Sequence, residues 1–337
     1  MPGLPIDHEM FARAALPSYG RDSGTALRLL SLSENATYLV DDAAPVVLRV
    51  HRPGYHSAEA IRSELAWMTA LRRETGLKTP EPVCSVTGDP VVLAEVGDRQ
   101  LYVDAVSFVP GCTAEQDPDA VGFRALGELS ARMHNHVQTW SPPPGFTRFR
   151  WDLDATLGPS ARWGRWRDND ALTGADRDAI AAAEAEIITR LTEFGTTPDR
   201  FGLIHADLRL ANLMIDPARP DSPITVIDFD DCGWSWLLAD LGAVVSWIED
   251  TPAAEHIIEQ WLRGYLPARP LPAAHLALIP TFVMLRRIML TAWTATHPDA
   301  DAAIAVGPAY ARGTAQLAQR YLSDSEWLQK AIFGAHV

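Results

Sequence analysis

His205-Ala206-Asp207-Leu208-Arg209-Leu210-Ala211-Asn212, followed by the apolar run Ile224 to Ile227 and then Asp228-Phe229-Asp230, constrains this chain more than any other stretch of it. An Asp able to accept a hydroxyl proton, an Asn five residues later and an Asp closing a β-type run form the set that phosphoryl transfer from a metal nucleotide requires. A phosphoryl group in a loose transition state leaves little covalent chemistry to assist, so the residues must orient a hydroxyl and neutralise charge through a metal. On this reading Asp207 is the base on a tight loop, and Asn212 and Asp228 supply hard oxygen ligands of the kind that suit Mg²⁺. Taken singly, His205 and Asp207 could equally satisfy local backbone, and Asp228 could simply end a strand. In this order and spacing they point to chemistry.

The same residues resemble those of the aminoglycoside phosphotransferase and choline kinase-like superfamily, a branch of the protein-kinase fold, and the resemblance runs over most of the chain. The stretch Asp228 to Leu241 is most similar to the group holding type II homoserine kinases and stress-response kinases. The resemblance implies an α+β, bilobal, protein-kinase-like fold. Residues 1–108 would form a nucleotide-binding lobe with an antiparallel sheet and one main helix, and residues 109–337 a mainly helical catalytic and substrate-binding lobe. It implies Asp207 as catalytic base, His205 as organiser of the loop, Asn212 and Asp228 as metal ligands, and ATP and Mg²⁺ as cofactors. Asp240 is similar to the family's second acidic position, whose role looks structural. One departure is Ala206, where the family usually has Gly.

Composition is compatible with this and excludes other classes. A length of 337 residues accommodates two lobes with their own cores, and 47% hydrophobic content is that of an ordinary globular chain. A formal charge of −14 argues against a general nucleic-acid surface and favours a cationic small molecule over an anionic one, although acidity also serves solubility. The three cysteines, Cys84, Cys112 and Cys232, form no close pairs, so neither a disulfide framework nor a zinc site is expected and a reducing cytoplasm suits them. Residues 1–20 lack the basic and then apolar run of a signal peptide. No membrane span is expected, because the apolar stretch Leu276 to Leu285 ends at Arg286-Arg287, short of the ~20 residues a spanning helix needs.

Along the first third, Ala26 to Leu32, Ala36 to Val40 and Pro45 to Val50 read as strands, the first two joined by Ser33-Glu34-Asn35. In a kinase-like lobe that turn would lie over the nucleotide phosphates, with Ser33 and Asn35 offering donors in place of a Gly-rich loop; an ordinary hairpin tip explains the same residues. Arg49 lies inside an apolar strand and must find a partner or reach solvent. Ser57 is a candidate N-cap for a helix with Ile61, Leu65, Met68 and Leu71 on one face, and Glu64 flanks that stripe. Arg49 with Glu64 would take the part of the kinase Lys and Glu that grip the α- and β-phosphates, while an exposed Arg on an edge strand is the alternative. Val91 to Val96 and Leu101 to Phe108 form a strand pair ending at Val109-Pro110-Gly111, where backbone near Ser107 and Val109 would meet the adenine edge or merely turn.

From Pro118 the chain becomes helical, with helices expected through Met133, from Ile180 to Phe194, and over 237–248, 253–265, 273–296 and 308–322. His134 and His136 are two apart and point to different faces, so they are not a ligand pair. The Trp- and Arg-rich stretch 146–170 has no clear period and could roof an acceptor cleft. Trp234, Trp236, Arg286, Arg287 and Trp293 are the candidates to line that cleft, each with plain packing as its alternative. The expected activity is transfer of the γ-phosphoryl group of ATP to a hydroxyl of an amino acid, amino alcohol or aminoglycoside-like molecule. A Ser/Thr protein kinase of the stress-response type and a nucleotide-binding pseudoenzyme stay open as alternatives.

Overall fold

The computed structural model describes residues 7–32, 35–117, 121–219 and 222–335. In chain order the elements are α1 (His8–Ala15), β1 (Leu27–Leu32), β2 (Ala36–Val40), β3 (Val46–Val50), α2 (Ala58–Thr75), β4 (Pro82–Val83), β5 (Val91–Val96), β6 (Arg99–Ser107), β7 (Cys112–Thr113) and α3 (Gly122–Thr139). There follow α4 (Leu153–Leu157), α5 (Gly174–Phe194), β8 (Phe201–Ile204), β9 (Leu213–Ile215), β10 (Thr225–Val226), β11 (Gly233–Trp236) and α6 (Ala239–Val244). The chain ends with α7 (Pro252–Ala268), α8 (Ala273–Leu276), α9 (Ile279–Thr296), α10 (Asp301–Ser323) and α11 (Gln329–Gly334).

The architecture is α+β, with two compact units. One comprises Met1–Cys112, Ser141–Arg148 and Met214–Asp230, the other Thr113–Trp140, Phe149–Leu213 and Asp231–Val337. The division therefore falls at 112 instead of 108, and two later segments, one of them carrying Asp228, return to the first unit. No compositional shift marks these returns, because each is only a loop or a short strand.

The first unit is built on an antiparallel sheet ordered β1-β2-β3-β6-β4, with β5 also pairing β6. The register sets Arg49 directly opposite Asp104. Phe11, Ala12 and Ala15 of α1 bury against Tyr38, Val40, Leu48, Val50 and Val103 of the sheet. This helix escaped the sequence reading because its two turns offer too few apolar positions to establish a period. Helix α2 starts where expected: the Ala60 N–H donates to the Ser57 Oγ at 3.2 Å, satisfying one of the end's orphan donors. Its Trp67 is fully buried, edge-on to Phe229 with ring centroids 5.5 Å apart.

The second unit is helical apart from the β8–β11 pair, which is antiparallel and aligns Gly233 with Ile204. Residues 273–296 have the length and hydropathy of a membrane span, yet 78% of that apolar window is buried within the protein, as in a core helix. Helices α3 and α7 approach so closely that a Cβ at Gly127 would lie 2.0 Å from the Trp261 carbonyl oxygen, and one at Gly264 would lie 1.9 Å from that of Arg124. Glycine inside a helix costs about 1 kcal/mol relative to alanine, and here that cost is offset by backbone-to-backbone packing at reciprocal positions. Gly264→Ala is expected to force α7 off α3 and destabilise the protein by about 2 kcal/mol or more, seen as a lower urea midpoint. An unchanged midpoint would mean that the approach is not tight.

Candidate active site

The loop that carries Asp207 begins directly after β8, whose four residues are all buried. Ala206 adopts φ +69, a left-handed conformation that costs an alanine about 1 kcal/mol or more. Hydrogen bonds hold it there. Its N–H donates to Asp240 Oδ1 at 2.7 Å, and its carbonyl accepts from Arg286 Nη1 at 3.2 Å. Asp240 is fully buried, with His134 Nε2 2.9 Å from Oδ2, and the other ring nitrogen of His134 meets the Tyr265 hydroxyl at 2.9 Å. His134 is thus a buried residue with both ring nitrogens engaged within the protein.

The Asp207 carboxylate is held at both oxygens. Arg286 Nη2 donates to Oδ1 at 2.6 Å; Arg209 Nε and Asn212 Nδ2 donate to Oδ2 at 3.1 and 3.0 Å. Asn212 Nδ2 also donates to the Asp207 carbonyl at 2.8 Å. Burial alone would push this carboxyl up, but Arg209 and Arg286 outweigh it, and Asp207 lies below the ordinary carboxylate range. His205 is fully buried, and its Nδ1 accepts from the Asp207 N–H at 3.4 Å.

The two residues expected as metal ligands each carry an oxygen donor of the hard kind. With its amide nitrogen committed to Asp207, Asn212 keeps Oδ1 as the atom able to ligate. Asp228 stands just beyond β10 in a left-handed conformation, φ +61. Among the described residues no three His, Cys, Asp or Glu side chains converge as a self-contained metal cage. Mg²⁺ is commonly held by one or two carboxyl or amide oxygens, with nucleotide phosphates and water completing the octahedron.

In the first unit Arg49 is buried in a network of acids. Nη1 donates to Glu64 Oε1 at 2.6 Å, and Nε and Nη2 donate to Asp104 at 3.1 and 3.0 Å. Burial by itself would lower the guanidinium pKa, but Asp104 and Glu64 more than offset it and the charge is secure. His51 Nε2 lies 2.6 Å from Asp104 Oδ1. Asp104 is also buried, which alone would raise its pKa, yet Arg49 and His51 hold it below the usual carboxylate range. A second node forms at Asp230, whose Oδ1 accepts from Asn35 Nδ2 at 2.9 Å and lies 3.3 Å from His56 Nε2. Arg148 ties this node to α2, donating to the Asp230 and Ala60 carbonyls.

The expected site residues therefore divide. His205, Asp207 and Asn212 come together in one loop, and Arg49 meets Glu64. The Asn35 side chain turns inward: its amide nitrogen donates to Asp230, and its Oδ1 accepts from the Arg52 N–H. Ser33 lies outside the described residues. The Ser107 N–H donates to the Glu81 carbonyl, and its hydroxyl accepts from the Glu81 N–H. Two acceptor candidates are core residues instead. Trp236 is buried, with its indole N–H on the Gly195 carbonyl. Arg287, 1% exposed, spends its donors on Glu249, Asp250, Thr314 and the Tyr310 carbonyl. Trp234 and Trp293 are half-buried, and Trp293 stands edge-on to Trp247.

Asp104, Asp230, His51, His56 and Arg148 escaped the sequence reading, as did the contact of Arg286 with Asp207. For Asp104 a signal was present: a charged residue within an apolar strand, the same cue that singled out Arg49. Asp104→Asn is expected to destabilise the protein by about 3 kcal/mol at pH 7, because Arg49 loses a buried counter-charge. The folded-state pKa of Asp104 is depressed, so its stabilisation is fully present above about pH 4 and is lost as the pH falls towards the folded value. Urea unfolding of both proteins across pH 7 to 3.5 checks this; a pH-independent difference would contradict it.

Comparison with known proteins places this geometry. The Phosphotransferase enzyme family (APH) matches residues 25–276. Amicoumacin kinase of Bacillus subtilis (strain 168) is 25% identical over 297 residues, which are 84% of this chain and 83% of that protein. A solved structure described as the microcompartment-associated aminopropanol kinase superposes with a TM-score of 0.86 at 42% identity, covering 93% of this chain and 97% of that one. The amicoumacin kinase hAmiN, solved in complex with AMP-PNP, Ca²⁺ and Ami, shares the fold with a TM-score of 0.70 at 22% identity, covering 94% of this chain and 93% of that one. The chain belongs to the phosphotransferase enzyme family, and it is an ATP-dependent phosphotransferase whose acceptor is a hydroxyl group of a small molecule.

Proposed function

We propose that the acceptor is a small amino alcohol and that Asp207 is the base that receives its proton. The observation that carries the second part is the Asp207 carboxylate itself, anionic, 18% exposed and held at both oxygens by neighbouring donors. A base so held does not search for its substrate; the entropy of orienting it is already spent in the fold. The acceptor class is supported by the aminopropanol kinase likeness at 42% identity and by a formal charge of −14, which favours an ammonium-bearing substrate.

Each residue then has a task. Asp207 orients the hydroxyl and takes its proton as the phosphoryl group arrives. Asn212 through Oδ1 and Asp228 through its carboxylate would hold Mg²⁺, which when bound neutralises charge on the nucleotide phosphates. Arg49 uses three of its five N–H groups on Glu64 and Asp104, leaving one on each Nη for phosphate oxygens. Val109 offers backbone to the purine. The use of ATP and three cysteines with no disulfide support a cytoplasmic setting.

A panel of aminopropanol, ethanolamine, choline, homoserine, an aminoglycoside and a generic protein, assayed for ATP consumption, tests the acceptor. Turnover is expected first with aminopropanol or ethanolamine, and phosphorylation of the protein alone would overturn the proposal. Asp207→Asn should bind ATP normally and lose about a hundredfold or more in kcat. Asp228→Ala should weaken ATP binding only when Mg²⁺ is present; calorimetry showing equal Mg-ATP affinity in both proteins removes Asp228 from the metal site.

A further inference from the structure

We propose that Arg286 is a positioning residue for the phosphoryl transfer: it fixes the direction of Asp207 Oδ1, the oxygen that the acceptor hydroxyl meets. This rests on the reading of Asp207 as the base. Helix α9 is apolar over most of its length, so a guanidinium buried on it, with 8% of its side chain exposed, demands compensation. Compensation comes from three separate pieces of the same unit. Nη2 donates to Asp207 Oδ1 at 2.6 Å, Nη1 to the Ala206 carbonyl at 3.2 Å and Nε to Ser246 Oγ at 2.9 Å, while Cζ sits 4.9 Å from the Trp163 ring centre.

The two Nη contacts fall on consecutive residues, one on backbone and one on side chain. A planar fork that grips both sets the carboxylate plane against the main chain, so Asp207 cannot rotate without breaking a charge-assisted bond. Arg209 and Asn212 do not supply this restraint, because both reach Oδ2. An oxygen that accepts one bond keeps a second lone pair, and on Oδ1 its direction is set by Arg286. The neighbouring Arg287 makes the contrast: it is equally buried on α9 but is saturated by Glu249, Asp250 and Tyr310, away from the base. Ser246, in the turn after α6, orients the fork from its other end.

Three variants of Arg286 test this, each assayed with Mg-ATP and the acceptor selected by the panel, and with water as acceptor so that a signal does not depend on that choice. Arg286→Met keeps an apolar stem against Trp163 and should fold, as circular dichroism can verify. Its kcat is expected to fall about thirtyfold or more while KM for ATP stays within about threefold. Arg286→Lys restores the charge but not the fork, and should remain about tenfold below the parent protein. Millimolar guanidinium should raise kcat of Arg286→Ala several-fold and leave Asp207→Asn unchanged, a rescue that a purely structural arginine would not show. The proposal is overturned if Arg286→Met keeps kcat within about threefold of the parent while Asp207→Asn loses its hundredfold. It is equally overturned if the Met and Ala variants lose activity only in step with a lowered Tm and guanidinium restores nothing. Retention of turnover by Asp207→Asn is the separate result that removes Asp207 as base, and Arg286 with it.

Discussion

The close approach of α3 and α7 is the constraint on which the Asp207 loop depends. Gly127 and Gly264 let the two backbones touch, and His134, two turns past Gly127, meets Tyr265, the residue after Gly264, in one buried spot. There they meet Asp240, whose other oxygen takes the Ala206 N–H and secures a left-handed turn that alanine would not choose. Asp207 follows that turn by one residue. A packing decision between two helices thus sets the backbone from which Asp207 projects. The order of cause runs from missing Cβ atoms to a carboxylate direction.

The two units use opposite charge logic. In the first, a buried arginine is held by acids, so Arg49 stays charged in the core because Asp104 and Glu64 surround it. In the second, a carboxylate is held by arginines, so Asp207 remains anionic despite low exposure because Arg209 and Arg286 border it. Either charge alone would be too costly to bury. Pairing makes each affordable in free energy and, because guanidinium–carboxylate bonds are directional, also makes each rigid. Such rigidity suits a reaction in which little covalent assistance is needed and placement of a hydroxyl and a phosphate accounts for most of the rate.

Glutamate, asparagine and arginine side chains are redirected by context in ways that no spacing reveals. Asn35 illustrates this: a polar residue at a hairpin end is free to face solvent or a ligand, but here Asp230, 195 residues later in the chain, captures its amide. Arg286 and Arg287 are sequence neighbours of identical chemistry. Helix geometry points them in different directions, so one finds Asp207 and the other a separate acidic network. Trp236 was attractive as an aromatic wall and is instead a packed residue between Phe201 and Phe282.

What the sequence determined by itself was local and periodic pattern, where the period ran long enough to read. The Asp207–Asn212 spacing, the short run before Asp228, the Ser57 cap and the apolar stripe of α2 could be read directly; the spacing pointed to phosphoryl transfer, and the resemblance of the same motif implied the kinase-like family. Arg49 also announced itself, since a charge in an apolar strand must be paired. Tertiary structure alone decided the identity of the partners. The β3–β6 register put Asp104 opposite Arg49, the return of residues 141–148 and 214–230 brought Arg148 and Asp230 to the first unit, and the rotation of α9 chose Arg286 over Arg287 for Asp207. Local pattern is written in backbone torsions and side-chain periodicity, which neighbours in sequence control. Pairing between distant charges is settled only when desolvation forces each buried group to take whichever counter-charge the packing has placed within hydrogen-bond reach.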